Sequence, residues 1–345
     1  MLAAAGFDVT FGVPHDCADV VDKVRIEPIA RPSGRVMRMA VATIRLARLA
    51  RSLRPSIVHF HDPELIPVGL FLKGLGVRVI YDVHEDLPKQ IRSKHWINPW
   101  LRPVLATGSA AVEAIAARIL DGIIVATPAI ARRFPTDKTE TVQNFPFHSE
   151  LALPSALPYR ERSPTAAYVG GISEIRGIRE MLAAMDRLPD RLGGRLKIAG
   201  SFTPVSLERE MLAVPGWSRV DYVGWQSRAD LALLMGSVRM GLVLFHPVPN
   251  HVEAQPNKLF EYMSAGVPVV ASDFPLWREI VEGAGCGLLV DPLDPDAIAG
   301  AIAWLLDHPE EAERMGQAGR QSVLTRYNWE SESRKLVDFY NRILS

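Results

Sequence analysis

Two carboxylates eight positions apart, Glu253 and Glu261, bracket the segment Ala-Gln-Pro256-Asn257-Lys258-Leu259-Phe. The chain then runs Tyr-Met-Ser-Ala-Gly266-Val-Pro-Val-Val-Ala-Ser272, an apolar helical pattern followed by a glycine stop and a β-branched strand. Proline suits the first turn of a helix, where a missing N–H costs nothing, and glycine suits the position just past its end. The spacing predicts a helix that has Pro256 in its first turn, with the backbone N–H groups of Asn257, Lys258 and Leu259 unpaired and directed outward. A helix start of this kind attracts phosphate. Glu253 falls in the loop before the helix and Glu261 one to two turns inside it. Eight helical residues span about 12 Å along the axis at a rise of roughly 1.5 Å per residue, whereas the acid pairs of glycoside hydrolases stand roughly 5–9.5 Å apart. The chemistry indicated is anion binding, not hydrolysis.

Such a segment needs sheets to position it. Short β-branched runs alternate with helical patterns along all 345 residues, the mark of parallel α/β architecture. Strands are expected at Phe7–Val13, Ile57–His61, Val77–Val83 and Gly122–Ala126. After a proline-dotted stretch from Phe145 to Pro164 they resume at Ala166–Val169, Leu196–Ala199, Val220–Val223, Met240–Phe245, Val267–Ala271 and Gly287–Val290. Apolar residues make up 48% and charged residues 23%, the balance of a globular protein with ample core. Lys plus Arg and Asp plus Glu are equal at 39 each, which gives no case for nucleic acid. Two cysteines, Cys17 and Cys286, form no framework and fit a reducing compartment. No apolar run approaches the roughly 18 residues of a membrane span, and the first residues lack the basic region of a signal peptide. A cytoplasmic location is expected. Seven arginines and no acid lie between Arg31 and Arg54, interleaved with Val36, Met37, Met39, Val41, Ile44, Leu46 and Leu49. Two roles fit this helix equally: resting on an anionic membrane, or packing on the first sheet with a solvated arginine face.

Other residues fall where strands end. Tyr168-Val-Gly170-Gly171-Ile-Ser-Glu-Ile-Arg176-Gly177 reads as a strand, a small-residue turn and a helix, a place where backbone approaches phosphate closely. Tyr81-Asp-Val-His84-Glu85 puts His84 at the carboxyl end of a strand. Val58-His59-Phe-His61-Asp62-Pro-Glu64 ends another, with Asp62 a ready N-cap. His59 and His61 are expected to face opposite sides, so that at most one lines a site, and no third ligand sits at usual metal spacing. Asp294-Pro-Asp296 mimics a metal-binding D-x-D but opens the helix Ala297–Leu306, where capping explains it. No metal is expected.

The stretch from Glu253 to Ser272 resembles the E-x7-E signature of the retaining glycosyltransferases of family 4, and Tyr81-Asp-Val-His84-Glu-Asp resembles a run found in bacterial members. The resemblance implies a GT-B fold, with two Rossmann-like domains facing across a cleft. Residues 1–150 would form the acceptor-side domain, 151–164 the linker, 165–327 the nucleotide-sugar-binding domain and 328–345 a helix crossing back. It implies that Glu253 meets donor-sugar hydroxyls, that Glu261 holds the ribose, and that Arg176 and Lys258 neutralise the diphosphate and assist catalysis. Gly170, Gly171, Asn257 and Leu259 would line the phosphates, Gly224 the base, and His84 would touch the sugar once the domains close. His61 and Glu85 are the acceptor-side candidates. No cofactor is implied, since the nucleotide-sugar is a substrate; the partner is a glycan or lipid-linked acceptor, with peripheral contact to an anionic membrane. The activity implied is transfer of a sugar from UDP or GDP to a hydroxyl with retention, in the synthesis of bacterial surface polysaccharide.

The chain departs from that pattern twice. Ile172 and Ser173 stand where the family places a second phosphate-binding arginine. The opening Ala3-Ala-Ala-Gly-Phe-Asp-Val-Thr matches the end of the family's first helix and its second strand, so a start codon placed too late is the expected explanation. Two alternatives follow: an isomerase of the non-hydrolysing UDP-N-acetylglucosamine 2-epimerase type, and a truncated, non-catalytic subunit of GT-B shape.

Overall fold

The computed structural model describes residues 1–29, 35–94, 97–147 and 157–345, and only the backbone of 35–42. The chain divides into two compact units, one of Met1–Gln143 with Glu332–Ser345 and the other of Asn144–Ser331.

The first unit carries β1 (Val9–Val13), β2 (Asp19–Val21), β3 (Val24–Pro28), β4 (Ile57–Phe60), β5 (Arg78–Val83), β6 (Gly122–Val125) and β7 (Thr139–Thr141). They form two sheets, a three-stranded one in the order β1-β3-β2 and a parallel four-stranded one in the order β4-β5-β6-β7. The expected strands at Phe7, Ile57, Val77 and Gly122 are present but shorter. β2, β3 and β7 were not foreseen, because β2 is exposed throughout and β7 is three polar residues with no apolar run. The helix Arg35–Leu53 rests Leu46 and Leu49 on Gly12, where an added Cβ would lie 3.0 and 3.2 Å from their methyls. Arg45, Arg48, Arg51 and Arg54 face solvent, and the start of the basic stretch, residues 30–34, lies outside the described residues. Val79, Tyr81, Val83, Ile123 and Val125 pack with Leu72, Ala116 and Leu120 from the covering helices. No helix among the described residues is long and apolar enough to cross a membrane.

The second unit holds β8 (Thr165–Val169), β9 (Arg195–Ala199), β10 (Val220–Gly224), β11 (Met240–Val243), β12 (Val269–Ser272) and β13 (Gly287–Val290) in one parallel sheet, ordered β10-β9-β8-β11-β12-β13. Side chains alternate between two covered faces, as a strand's period of two requires. Ala166 and Tyr168 join Ile178, Met181 and Ile302 on one side, while Ala167 and Val169 join Leu259, Phe260 and Trp277 on the other. β11 stops at Val243 rather than Phe245, and β12 begins at Val269 because Pro268 offers no N–H to a ladder. Of the linker expected over 151–164, residues through 156 lie outside the described residues; Tyr159–Glu161 form a short 3-10 turn. The final helix, Trp329–Leu344, starts in the second unit, where the Trp329 N–H donates to the Pro146 carbonyl, and continues in the first. There the Gln143 N–H donates to Glu332 Oε2 at 2.9 Å, and Phe339 fills the space beside Gly122.

Candidate functional site

β8 leads on to β9 and β10 on one side, and β11 to β12 and β13 on the other, so the strand order reverses between β8 and β11. Loops leaving two strands in opposite directions open a crevice at their carboxyl ends, the usual ligand position in such sheets. Past β8, Gly170 takes φ +112° and its N–H donates to the Ala199 carbonyl at 2.8 Å. A Cβ on Gly200 (φ +149°) would stand 1.9 Å from the Gly170 carbonyl oxygen, so only glycine lets these two loops touch. The Gly171 carbonyl accepts from Tyr168 Oη at 2.6 Å and from Arg176 Nη1 at 3.1 Å, which ties the guanidinium to the turn. Arg176 also lies over the Phe245 ring at 5.6 Å.

Lys258 arrives from the β11 side. Its helix, Asn257–Ser264, is fixed by Tyr262, whose ring fills the space over Gly241 and whose hydroxyl donates to the Ala167 carbonyl at 2.9 Å. Lys258 is 8% exposed, its ammonium 3.8 Å from the Tyr168 ring centroid, with no hydrogen-bond partner among the described residues. Burial, reinforced by the neighbouring Arg176 charge and only partly offset by Glu261, holds its pKa well below the usual lysine range. A buried cation aimed at a glycine turn and lacking a partner is a place built for an anion.

Pro256 takes the N-cap position instead of the first turn, and the Leu259 N–H turns back to the Pro256 carbonyl at 3.0 Å. Asn257 and Lys258 thus keep the outward N–H role, and Leu259 does not. Glu261 is mostly buried, and its Oε1 accepts from Arg228 Nη1 at 2.6 Å. Glu253 closes the short helix Pro249–Val252 and is half-buried, close before Trp277 Nε1 donates to the Ala254 carbonyl at 2.7 Å. Gly224 ends β10 at φ +68° with open space where a side chain would stand. Arg228 and His246 were missed from the sequence. Arg228 follows an ordinary Ser227 cap and carries no local signal. His246 follows a strand end just as His84 does, and its Nε2 lies 3.1 Å from Glu180 Oε2.

In the first unit the structure gathers residues the sequence separated. His59 and His61 do not diverge, because residues two apart on a strand share a face. His59 Nε2 and His61 Nδ1 lie 3.1 and 3.2 Å from a single oxygen, Asp82 Oδ2, and His84 Nε2 is 2.8 Å from His61 Nδ1. Asp82 supplies the third group that spacing did not reveal, since parallel pairing sets His59 opposite Ile80 and Phe60 opposite Tyr81. Burial alone would raise the Asp82 carboxyl; hydrogen bonds from His59 and His61 outweigh it and hold the group well below the carboxylate range. The same hydrogen bond raises His61 against the opposing effect of burial. Glu85 is exposed and pairs with Gln90 instead. Asp62 sits at an N-cap position but makes no capping hydrogen bond, whereas Asp294 caps the helix Pro295–Asp307 through the N–H groups of Asp296 and Ala297.

Residues 152–322 match the family model described as glycosyl transferases group 1, and residues 1–144 match the glycosyl transferase 4-like domain. The MMP alpha-(1->4)-mannosyltransferase of Mycolicibacterium hassiacum is 23% identical over 315 residues, covering 88% of this chain and 75% of its own. Sucrose-phosphate synthase from Thermosynechococcus elongatus superposes with a TM-score of 0.79 at 22% identity, covering 99% of this chain and 90% of that one. Anabaena HepE, solved with UDP-glucose, gives 0.72 at 13% identity, over 93% and 86% of the two chains. Transferases and synthases of this kind do not favour the isomerase alternative. With two Rossmann-like units, a crevice at the strand reversal and family matches that together span most of its length, the chain belongs to the GT-B glycosyltransferases of the family-4-like type.

Proposed function

We propose that the chain transfers a hexosyl group from a UDP- or GDP-sugar to a hydroxyl of a glycan or lipid-linked acceptor with retention of configuration, in the synthesis of a bacterial surface polysaccharide. The observation that carries this reading is the unpartnered, buried Lys258 ammonium beside Arg176 at the Gly170–Gly171 turn. As the bond to the sugar breaks, negative charge builds on the leaving diphosphate. Arg176 offers a forked donor and Lys258 a point charge, and the N–H groups of Asn257 and Lys258 add the positive end of a helix, so no metal is required to hold the diphosphate. Glu261 holds the ribose, Glu253 orients the sugar and Gly224 leaves room for the base. No covalent nucleophile is invoked; the leaving phosphate takes the acceptor proton. In the first unit His84 serves the sugar, and His61 and Glu85 the acceptor. The location is cytoplasmic, with the exposed arginines of the helix Arg35–Leu53 attaching the protein to the inner face of the membrane, for which co-sedimentation with anionic but not neutral vesicles is the check.

A thermal-shift panel of UDP, GDP, ADP and their common sugars tests the donor site, because a ligand of the folded state adds RT ln(1 + [L]/Kd) to stability. A shift with one nucleotide family that is lost in Glu261→Ala supports the reading. Silence across the panel from a folded sample favours the non-catalytic alternative.

A further inference from the structure

The ends of β4 and β5 carry a second cluster, which shares His61 with the proposed acceptor side and borders His84. One ligand atom from each of His59, His61 and Asp82 lies within 4.8 Å of the others, and His59 Nε2 and His61 Nδ1 both approach Asp82 Oδ2. Ligand atoms on a four-coordinate ion, at about 2.0–2.2 Å from it, stand roughly 3.4 Å apart. The separations of 3.1 and 3.2 Å from Asp82 Oδ2 are close to that spacing, and an ion bound there takes the place of the 2.8 Å contact between His61 Nδ1 and His84 Nε2. The surroundings resemble those of a built ligand set. His59 Nδ1 meets the buried Tyr340 hydroxyl at 2.6 Å, which fixes the ring so that Nε2 points inward, the outer-shell support that metal-binding imidazoles receive. Asp82 is buried, while the His61 and His84 side chains are 47% and 42% exposed, which leaves an entry path on one side.

We infer that the first unit binds one divalent first-row transition metal ion through His59 Nε2, His61 Nδ1 and Asp82 Oδ2. The remaining coordination position opens on the exposed side, beside His84, where water or a hydroxyl enters. Two imidazoles and one carboxylate select zinc, iron, cobalt or nickel over magnesium and calcium, which take oxygen ligands. All three ligands lie in the first unit, so the inference is independent of the donor-site reading.

The test is titration of the untagged full chain, stripped by a chelator, with Co²⁺ followed by visible absorption. Expected are one equivalent per chain, the intense d–d bands of a low-coordinate ion, displacement by Zn²⁺ and indifference to Mg²⁺. Asp82→Ala and His59→Ala abolish those bands, while His308→Ala, on a remote helix end, keeps them. Tyr340→Phe preserves the ring and weakens affinity about 10- to 100-fold; it carries the test if the other variants fail to fold by circular dichroism. Binding of equal strength in the parent and Tyr340→Phe, less than one equivalent at saturation, or a thiolate charge-transfer band pointing to Cys17 overturns the assignment. Loss of cobalt binding with intact nucleotide binding, or the reverse, keeps the two readings separable.

Discussion

Arg228 Nη1 donates to Glu261 Oε1 at 2.6 Å, joining two helices through residues 33 positions apart. The carboxylate assigned to the ribose is therefore held in place before any ligand arrives. Arg228 is half exposed, so the pair is screened and worth about 1 kcal/mol at most. If it positions Glu261, Arg228→Ala weakens nucleotide binding about 3- to 5-fold by calorimetry, a smaller loss than Glu261→Ala, which raises donor KM strongly. Tighter binding in Arg228→Ala would show instead that the arginine competes with the ligand.

Lys258 gives a pH dependence of definite sign. Its folded pKa lies below the value near 10.5 that it has when unfolded, so between the two the unfolded chain holds more protons. Stability of the unliganded protein then rises with pH through that window, and the cost of burying the charge is fully present below it. Chemical denaturation across alkaline pH should show this slope in the parent and a shallower one in Lys258→Met. An anion bound beside Lys258 favours its charged form, so nucleotide affinity should fall as pH rises, and fall less in Lys258→Met. Lys258→Ala should lower kcat/KM about 10- to 100-fold, the loss of one charge-assisted hydrogen bond.

Two glycines separate fold from binding. At Gly200 an added Cβ meets the Gly170 carbonyl at 1.9 Å, a backbone atom that cannot step aside. Gly200→Ala should cost about 3 kcal/mol or more of unfolding free energy. At Gly171 the added Cβ meets Arg176 Nη1 at 2.6 Å, the far end of a flexible side chain. Gly171→Ala should stay within about 1 kcal/mol of the parent while displacing the guanidinium and losing donor affinity. Comparable destabilisation in both would count against that division.

Buried Glu113 accepts from the Tyr81 hydroxyl at 3.0 Å and from Arg133 Nη2 at 2.5 Å, and Arg133 also lies 3.3 Å from Asp86. Burial, with the Glu113 charge, keeps the Tyr81 phenol protonated. Glu113→Ala leaves Arg133 partly unpaired and should cost about 3 kcal/mol. Adding Arg133→Met should recover part of that, a coupling read by a double-mutant cycle in denaturant.

What the sequence disclosed was local. Helix 257–264 and the Gly170–Gly171 turn were legible because proline, glycine and apolar spacing act within a few residues. The His59–His61–Asp82 cluster was not, because it depends on parallel register: β4 and β5 place groups 23 residues apart on one face only when His59 pairs with Ile80. The Arg228–Glu261 pair depends likewise on tertiary placement, since the helices that carry it follow β10 and β11, strands separated in the sheet by β9 and β8. β7 escaped because Thr139–Thr141 pairs through backbone groups alone along an apolar neighbour, β6, and offers no pattern of its own.

The loops at the carboxyl ends of β8, β9 and β10 are stitched to one another by peptide groups: Gly170 to Ala199, Ile172 to Ser201, Gly200 to Gly224. Tyr168, Tyr222 and Arg176 add side-chain bonds to the Gly171 and Gly200 carbonyls, while an exposed side chain such as Trp225 carries little of the structural burden. Trp225 is 77% exposed, and Gly224 beside it faces open space. Exchange of exposed Trp225 costs roughly 0.5 kcal/mol or less, whereas Gly224 is kept by its φ of +68°. A scaffold of this kind lets substrate preference drift independently of stability, so that descendants sharing one backbone can come to accept different ligands.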